Sequence, residues 1–113
     1  MEEYQQNLKN KLEKLSEMEG MLGIFAFENR EKIYSKHISE KICKNTGSLI
    51  DELRPGMDSV ISELGLSMRE SVIQFSGNLK IISLNKKDYD HNYQLFFLTS
   101  RYVDVISIRR YIE

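Results

Sequence analysis

The chain has 113 residues, enough for one domain with a modest core, because a domain of this size buries only about 60 to 70% of its unfolded surface. Hydrophobic residues at 41% and charged residues at 29% are ordinary globular values, which argues against a disordered or fibrous chain. Lys and Arg number 16 against 17 Asp and Glu, a net charge of -1, so the basic excess that phosphate backbones select is missing and nucleic acid is not an expected partner.

The first element is an amphipathic helix. Tyr4, Leu8, Leu12, Leu15 and Met18 recur every three or four residues while charged residues fill the positions between. Gly20 ends it, because glycine enters a left-handed conformation without a Cβ penalty. Met21 to Phe27 is then an unbroken apolar run, too short for a buried helix and rich in Ile and Phe, as in a strand covered on both faces. The polar segment Glu28-Asn29-Arg30-Glu31 predicts a reversal, and Ile33 to Ile38 a second, more polar strand at a sheet edge.

From Ile38 the apolar residues Ile42, Leu49, Leu53, Met57 and Leu64 keep helical phase, with Arg54-Pro55-Gly56 in the middle. Proline removes a helical hydrogen bond and clashes with the preceding turn, so this long helix is expected to be kinked or in two pieces and to end at Gly65. Ser71 to Ser76 and Leu79 to Leu84 alternate like strands around a Gly77-Asn78 turn. Lys86 to Asn92 predicts a polar loop, Tyr93 to Thr99 a second strand apolar on both faces, and Tyr102 to Glu113 a closing helix. Asp104 near its start and Arg109 and Arg110 near its end suit the helix dipole.

Burial orders these strands. The two that are apolar on both faces belong in the centre and their hairpin partners outside them. The expected fold is therefore α+β: a five-stranded antiparallel sheet of order 2-1-5-4-3 in a single domain spanning the chain. The long helix covers one face and the N- and C-terminal helices the other.

This element order resembles the roadblock family of dynein light chains and small GTPase regulators. Glu19-Gly20-Met21-Leu22-Gly23-Ile24-Phe25-Ala26-Phe27 is similar to the family's first strand, and Asp104-Val105-Ile106-Ser107-Ile108-Arg109-Arg110 to its final helix. The resemblance implies a dimer formed by pairing third strands edge to edge, which here places Ser71, Val72, Ile73, Gln74 and Phe75 at the interface. It also implies partners: a second copy or a roadblock-like paralogue, and a small Ras-like GTPase or a scaffold complex. Arg54, Arg109 and Arg110 are the candidate contacts to such a partner, although surface charge without a role explains them more economically.

Nothing in the sequence points to catalysis or to a cofactor. His37, Cys43 and His91 have no zinc-ligand spacing, and a lone cysteine is more often a small buried hydrophobe than a nucleophile. Asp88, Asp90 and Asn92 lack the glycine and distal glutamate of a calcium loop, and Gly20 and Gly23 precede no Gly-Lys-Ser. Phe25, Phe27, Phe75, Phe96 and Phe97 read as core. Tyr4, Leu8, Leu12 and Leu15 read as a face docked on the sheet rather than on another helix. The single Cys43 excludes an internal disulfide, the start Met1-Glu2-Glu3 is unlike a secretory leader, and no apolar run approaches the roughly 18 residues of a membrane span. A cytoplasmic, non-enzymatic regulatory or adaptor module is therefore expected, with a small-molecule sensing domain of similar architecture as the alternative.

Overall fold

The computed structural model describes residues 2–48, 52, 55, 70–74, 78–88 and 90–112. Helix α1 (Glu2–Ser16) leads into strands β1 (Met21–Glu28) and β2 (Glu31–Lys36). Helix α2 is described over residues 40–48, and residues 52 and 55 are also helical. Strands β3 (Glu70–Gln74), β4 (Leu79–Asp88) and β5 (His91–Ser100) follow, and helix α3 (Val105–Ile112) closes the chain. All strand pairs are antiparallel, and the order across the sheet is β2-β1-β5-β4-β3.

The sheet has a core on each face, because successive side chains of a strand point to opposite sides. Ile24 and Ala26 of β1, Ile82 and Leu84 of β4, and Tyr93, Leu95 and Phe97 of β5 face α1 and α3, where Leu8, Leu12, Leu15, Ile108 and Ile112 meet them. Phe25 and Phe96 face the other way and pack with Cys43 of α2 and the partly buried Phe27. Phe25 and Phe96 are cross-strand partners with stacked rings 4.7 Å apart, and Phe27 meets both edge-on. The leucine stripe of α1 is thus docked on the sheet.

Several boundaries differ from the sequence expectation. Asn29 and Arg30 alone make the first reversal, with φ of 52° and 68°, the pair of left-handed residues that a two-residue hairpin requires. The strands therefore run to Glu28 and from Glu31, and β2 ends at Lys36 rather than Ile38. The expected polar loop at Lys86 to Asn92 is mostly strand: β4 continues to Asp88 and β5 begins at His91, so Lys86 faces Tyr93 and Lys87 faces Asn92. The inward polar residues of this hairpin are satisfied within the fold: Lys86 donates to the Ile112 carbonyl and His91 is bonded to Glu28. The closing helix starts at Val105, with the Ile106 amide donating to Asp104 Oδ1 at 3.0 Å, so Tyr102 and Val103 lie in the preceding turn.

In α2 the buried face runs through Cys43 and Gly47, whereas Ile42, placed on the apolar stripe by its spacing, is half exposed. A side chain at position 47 would put its Cβ 3.3 Å from Phe27 Cε2, so glycine lets this helix lie close on the sheet. Ser39 begins the helix, its hydroxyl accepting from the Ile42 amide at 3.3 Å. Pro55 is helical and exposed; the shape of the chain between it and Leu64 lies outside the described residues.

Candidate functional site

The two edges of the sheet are built differently. Three of the six residues of β2 are charged, and both of its lysines are engaged: Lys32 pairs with Glu40 of α2, and Lys36 donates to Glu13 of α1 at 2.7 Å. The Tyr34 hydroxyl donates to the other oxygen of Glu13 at 2.5 Å. Those two bonds hold the Glu13 carboxyl below the usual carboxylate range, while burial and the same carboxylate push the Tyr34 hydroxyl well above that of a free phenol. A register shift at Ala26/Phe27 further bends the β1–β2 pair. Charges, a bulge and anchored side chains are the devices by which natural sheets discourage edge pairing.

Strand β3 has none of these charges between its ends. It pairs with β4 from Glu70 opposite Leu84 to Gln74 opposite Lys80, and among the described residues its outer backbone has no neighbouring strand. Ser71, Val72, Ile73 and Gln74 all lie on it, and the Val72 side chain is 45% exposed. Phe75 and Arg54 lie outside the described residues. Arg109 is half-buried and Arg110 exposed on the last turn of α3. The carbonyl of Ile112 at that helix end accepts from Lys11 Nζ at 3.1 Å and Lys86 Nζ at 2.9 Å, so two lysines meet the negative end of the dipole.

The other candidates are dispersed. His37, exposed and with φ of 61°, lies beyond the end of β2, whereas His91 lies at the opposite end of β1, bonded to Glu28 at 2.7 Å. Cys43 is buried beneath α2, and burial pushes its thiol up, away from nucleophilic character. Among the described residues no three His, Cys, Asp or Glu side chains come together to hold a metal ion. Asp88 lies 3.6 Å from Lys86 across the β4 tail, and Gly23 permits a close approach to Ile38 and the carbonyl of His37. No described helix is long and apolar enough to cross a membrane.

Some features have no local signature in the sequence. Glu28 is joined to His91 and to Gln5, and His91 stacks in turn on Tyr93, so one cluster links α1, β1 and β5. The Tyr93 hydroxyl is buried and has no hydrogen-bond partner among the described residues. An open polar cleft of about 380 Å³ is lined by Gln5 and Glu28 of that cluster together with Lys9, Glu31 and Lys32. At the opposite end of the sheet, Arg101 lies over the exposed ring of Tyr102.

With this architecture the chain can be set beside known structures. It has the fold of the roadblock domains. The gliding protein MglB from Thermus thermophilus matches with a TM-score of 0.72 at 10% identity, over 94% of this chain and 80% of that one. A Roadblock/LC7 domain from Streptomyces avermitilis matches with a TM-score of 0.66, also at 10% identity, over 95% and 83%. No family model and no curated protein sequence matches the chain.

Proposed function

We propose that the chain is a single roadblock-type module without chemistry of its own, which pairs through β3 with a second copy or a paralogue and holds a small Ras-like GTPase or a scaffold complex in the cytoplasm. The observation that carries this reading is the contrast between the edges: β2 is charged and anchored, while β3 presents an uncharged Ser71-Val72-Ile73-Gln74 segment whose outer backbone pairs with no strand among the described residues. Pairing two such strands would satisfy the backbone groups of both and continue the sheet across two chains. The roadblock fold supports the same reading, because regulators of small GTPases are built on it. In this scheme Arg109 and Arg110 at the end of α3, together with Arg54, contact the partner.

The test is analytical ultracentrifugation of the wild type beside Val72→Asp and Ile73→Asp, followed by recovery of GTPases from native lysate. Loss of the dimer mass together with loss of GTPase recovery is the expected result. A monomeric wild type, or dimers unaffected by either charge, would remove β3 from the scheme.

A further inference from the structure

We infer that the turn before α3 and the outward side of α3 form a docking surface for an acidic segment of a partner protein that carries leucine or phenylalanine anchors. The inference takes the adaptor reading as given and names the chemistry of one partner contact.

Tyr102 is 75% exposed, yet its ring is already held. The Arg101 guanidinium carbon lies 4.9 Å from the ring centroid, and Nη2 of the same arginine donates to the Tyr102 hydroxyl at 2.9 Å. The backbone below is fixed as well: the Arg101 amide donates to the Asn78 carbonyl at 2.9 Å, and Lys80 Nζ donates to the Arg101 carbonyl at 3.2 Å. An aromatic and an arginine pre-positioned in this way give up little freedom on binding, which is the property of interface anchors. Ile106 follows four residues later, 42% exposed, and Arg110 four residues after that, so apolar and cationic groups continue along one side of the helix.

Charge decides what this surface takes. Arg101 and Arg110 have no carboxylate partner among the described residues, and the Asp104 carboxylate is directed to the Ile106 amide of its own helix. The patch is therefore cationic on a chain whose net charge is -1. Anionic membranes select clusters of about four to eight basic residues, more than this patch presents, and the exposed Tyr102 and Ile106 ask for apolar anchors. An acidic protein segment meets both requirements.

The probe is a short fluorescein-labelled peptide of glutamates interspersed with leucines, titrated against the full chain by fluorescence anisotropy, beside vesicles containing phosphatidylserine. Saturable binding to the peptide is expected, weakened about tenfold by Tyr102→Ala or Arg101→Glu and unchanged by Lys14→Glu on the exposed side of α1. Circular dichroism verifies that the variants, all at exposed positions, remain folded. No peptide binding, equal binding by Arg101→Glu, or binding to the vesicles in preference to the peptide would overturn the inference. Sedimentation separates it from the dimer reading: Arg101→Glu keeps the wild-type mass, whereas Ile73→Asp changes the mass and leaves peptide binding intact.

Discussion

Glu28 at the end of β1 and His91 at the start of β5 are 63 residues apart in sequence, and their carboxylate Oε2 and imidazole Nδ1 lie 2.7 Å apart. Both side chains are more than four-fifths buried, and the second Glu28 oxygen accepts from Gln5 of α1 at 3.2 Å. The contact thus joins both central strands and the helix above them. Replacing His91 by Ala leaves a mostly buried carboxylate with one bond fewer and is expected to cost about 1 to 3 kcal/mol. Urea unfolding measures this; an unchanged midpoint would mean that Glu28 finds water as readily as imidazole.

Tyr93 is the opposite case. Its hydroxyl is buried without a partner among the described residues, and burial first, then the Glu28 and Asp88 carboxylates, disfavour its ionisation. Removing an unbonded buried hydroxyl abolishes a desolvation penalty, so Tyr93→Phe is expected to match or exceed wild-type stability by about 1 kcal/mol. A large loss on urea unfolding would reveal a bond to that hydroxyl.

The clamp of Glu13 on β2 sets a pH dependence. Its carboxyl lies below the ordinary value because Lys36 and Tyr34 bond to the ionised form. The folded pKa is lower than the unfolded one, so the contribution is complete above the unfolded value and disappears as pH falls through the folded one. Glu13→Gln should flatten acid unfolding in that window. Tyr34 behaves conversely: its folded pKa is raised, so its contribution is complete below the unfolded value and fades as alkali carries the pH through the folded one. Ultraviolet titration of the six tyrosines should show a late-ionising component that Tyr34→Phe diminishes.

What was legible in the sequence was hydrophobic and periodic. The runs Met21 to Phe27 and Tyr93 to Thr99 are apolar on alternate and intervening residues alike, and they lie side by side with Phe25 opposite Phe96. The leucines of α1 announced their docked face by spacing alone. The composition of Lys86 to Asn92 reads as loop, yet the segment is mostly strand, because its inward polar groups find partners at a distance in sequence: Lys86 at the Ile112 carbonyl and His91 at Glu28. The Arg101–Tyr102 stack and the Glu28–His91 pair were not legible, since the first depends on a turn geometry and the second on strands brought together from distant parts of the chain.

Gly20 occupies a position that no other residue suits. Its φ is +86°, and a Cβ there would lie 2.8 Å from both Ser100 Oγ and Val103 Cγ2, while its carbonyl accepts from the Ser100 amide at 2.9 Å. Gly20→Ala meets the left-handed penalty of about 1 to 2 kcal/mol and adds a contact that displaces the turn before α3. Lower thermal stability is expected, with weakened acidic-peptide binding, because that turn carries Arg101 and Tyr102. An alanine variant as stable as wild type would show that the turn relaxes without cost.

Gly47 tests how closely α2 lies on the sheet. An added Cβ would stand 3.3 and 3.4 Å from Phe27 Cε2 and Cζ, so Gly47→Ala requires the ring to yield by a few tenths of an ångström. Alanine also gains about 0.5 to 1 kcal/mol over glycine inside a helix, and the two effects should leave that variant near wild-type stability. Gly47→Leu has no such compensation: its side chain must displace Phe27, which meets Phe25 and Phe96 edge-on at centroid distances of 5.8 and 6.0 Å. A loss of about 1 to 3 kcal/mol on urea unfolding is expected, with shifted NMR resonances for the three phenylalanines. If leucine were accommodated with those resonances unmoved, α2 would have to stand farther from β1 than Cys43 and Gly47 place it.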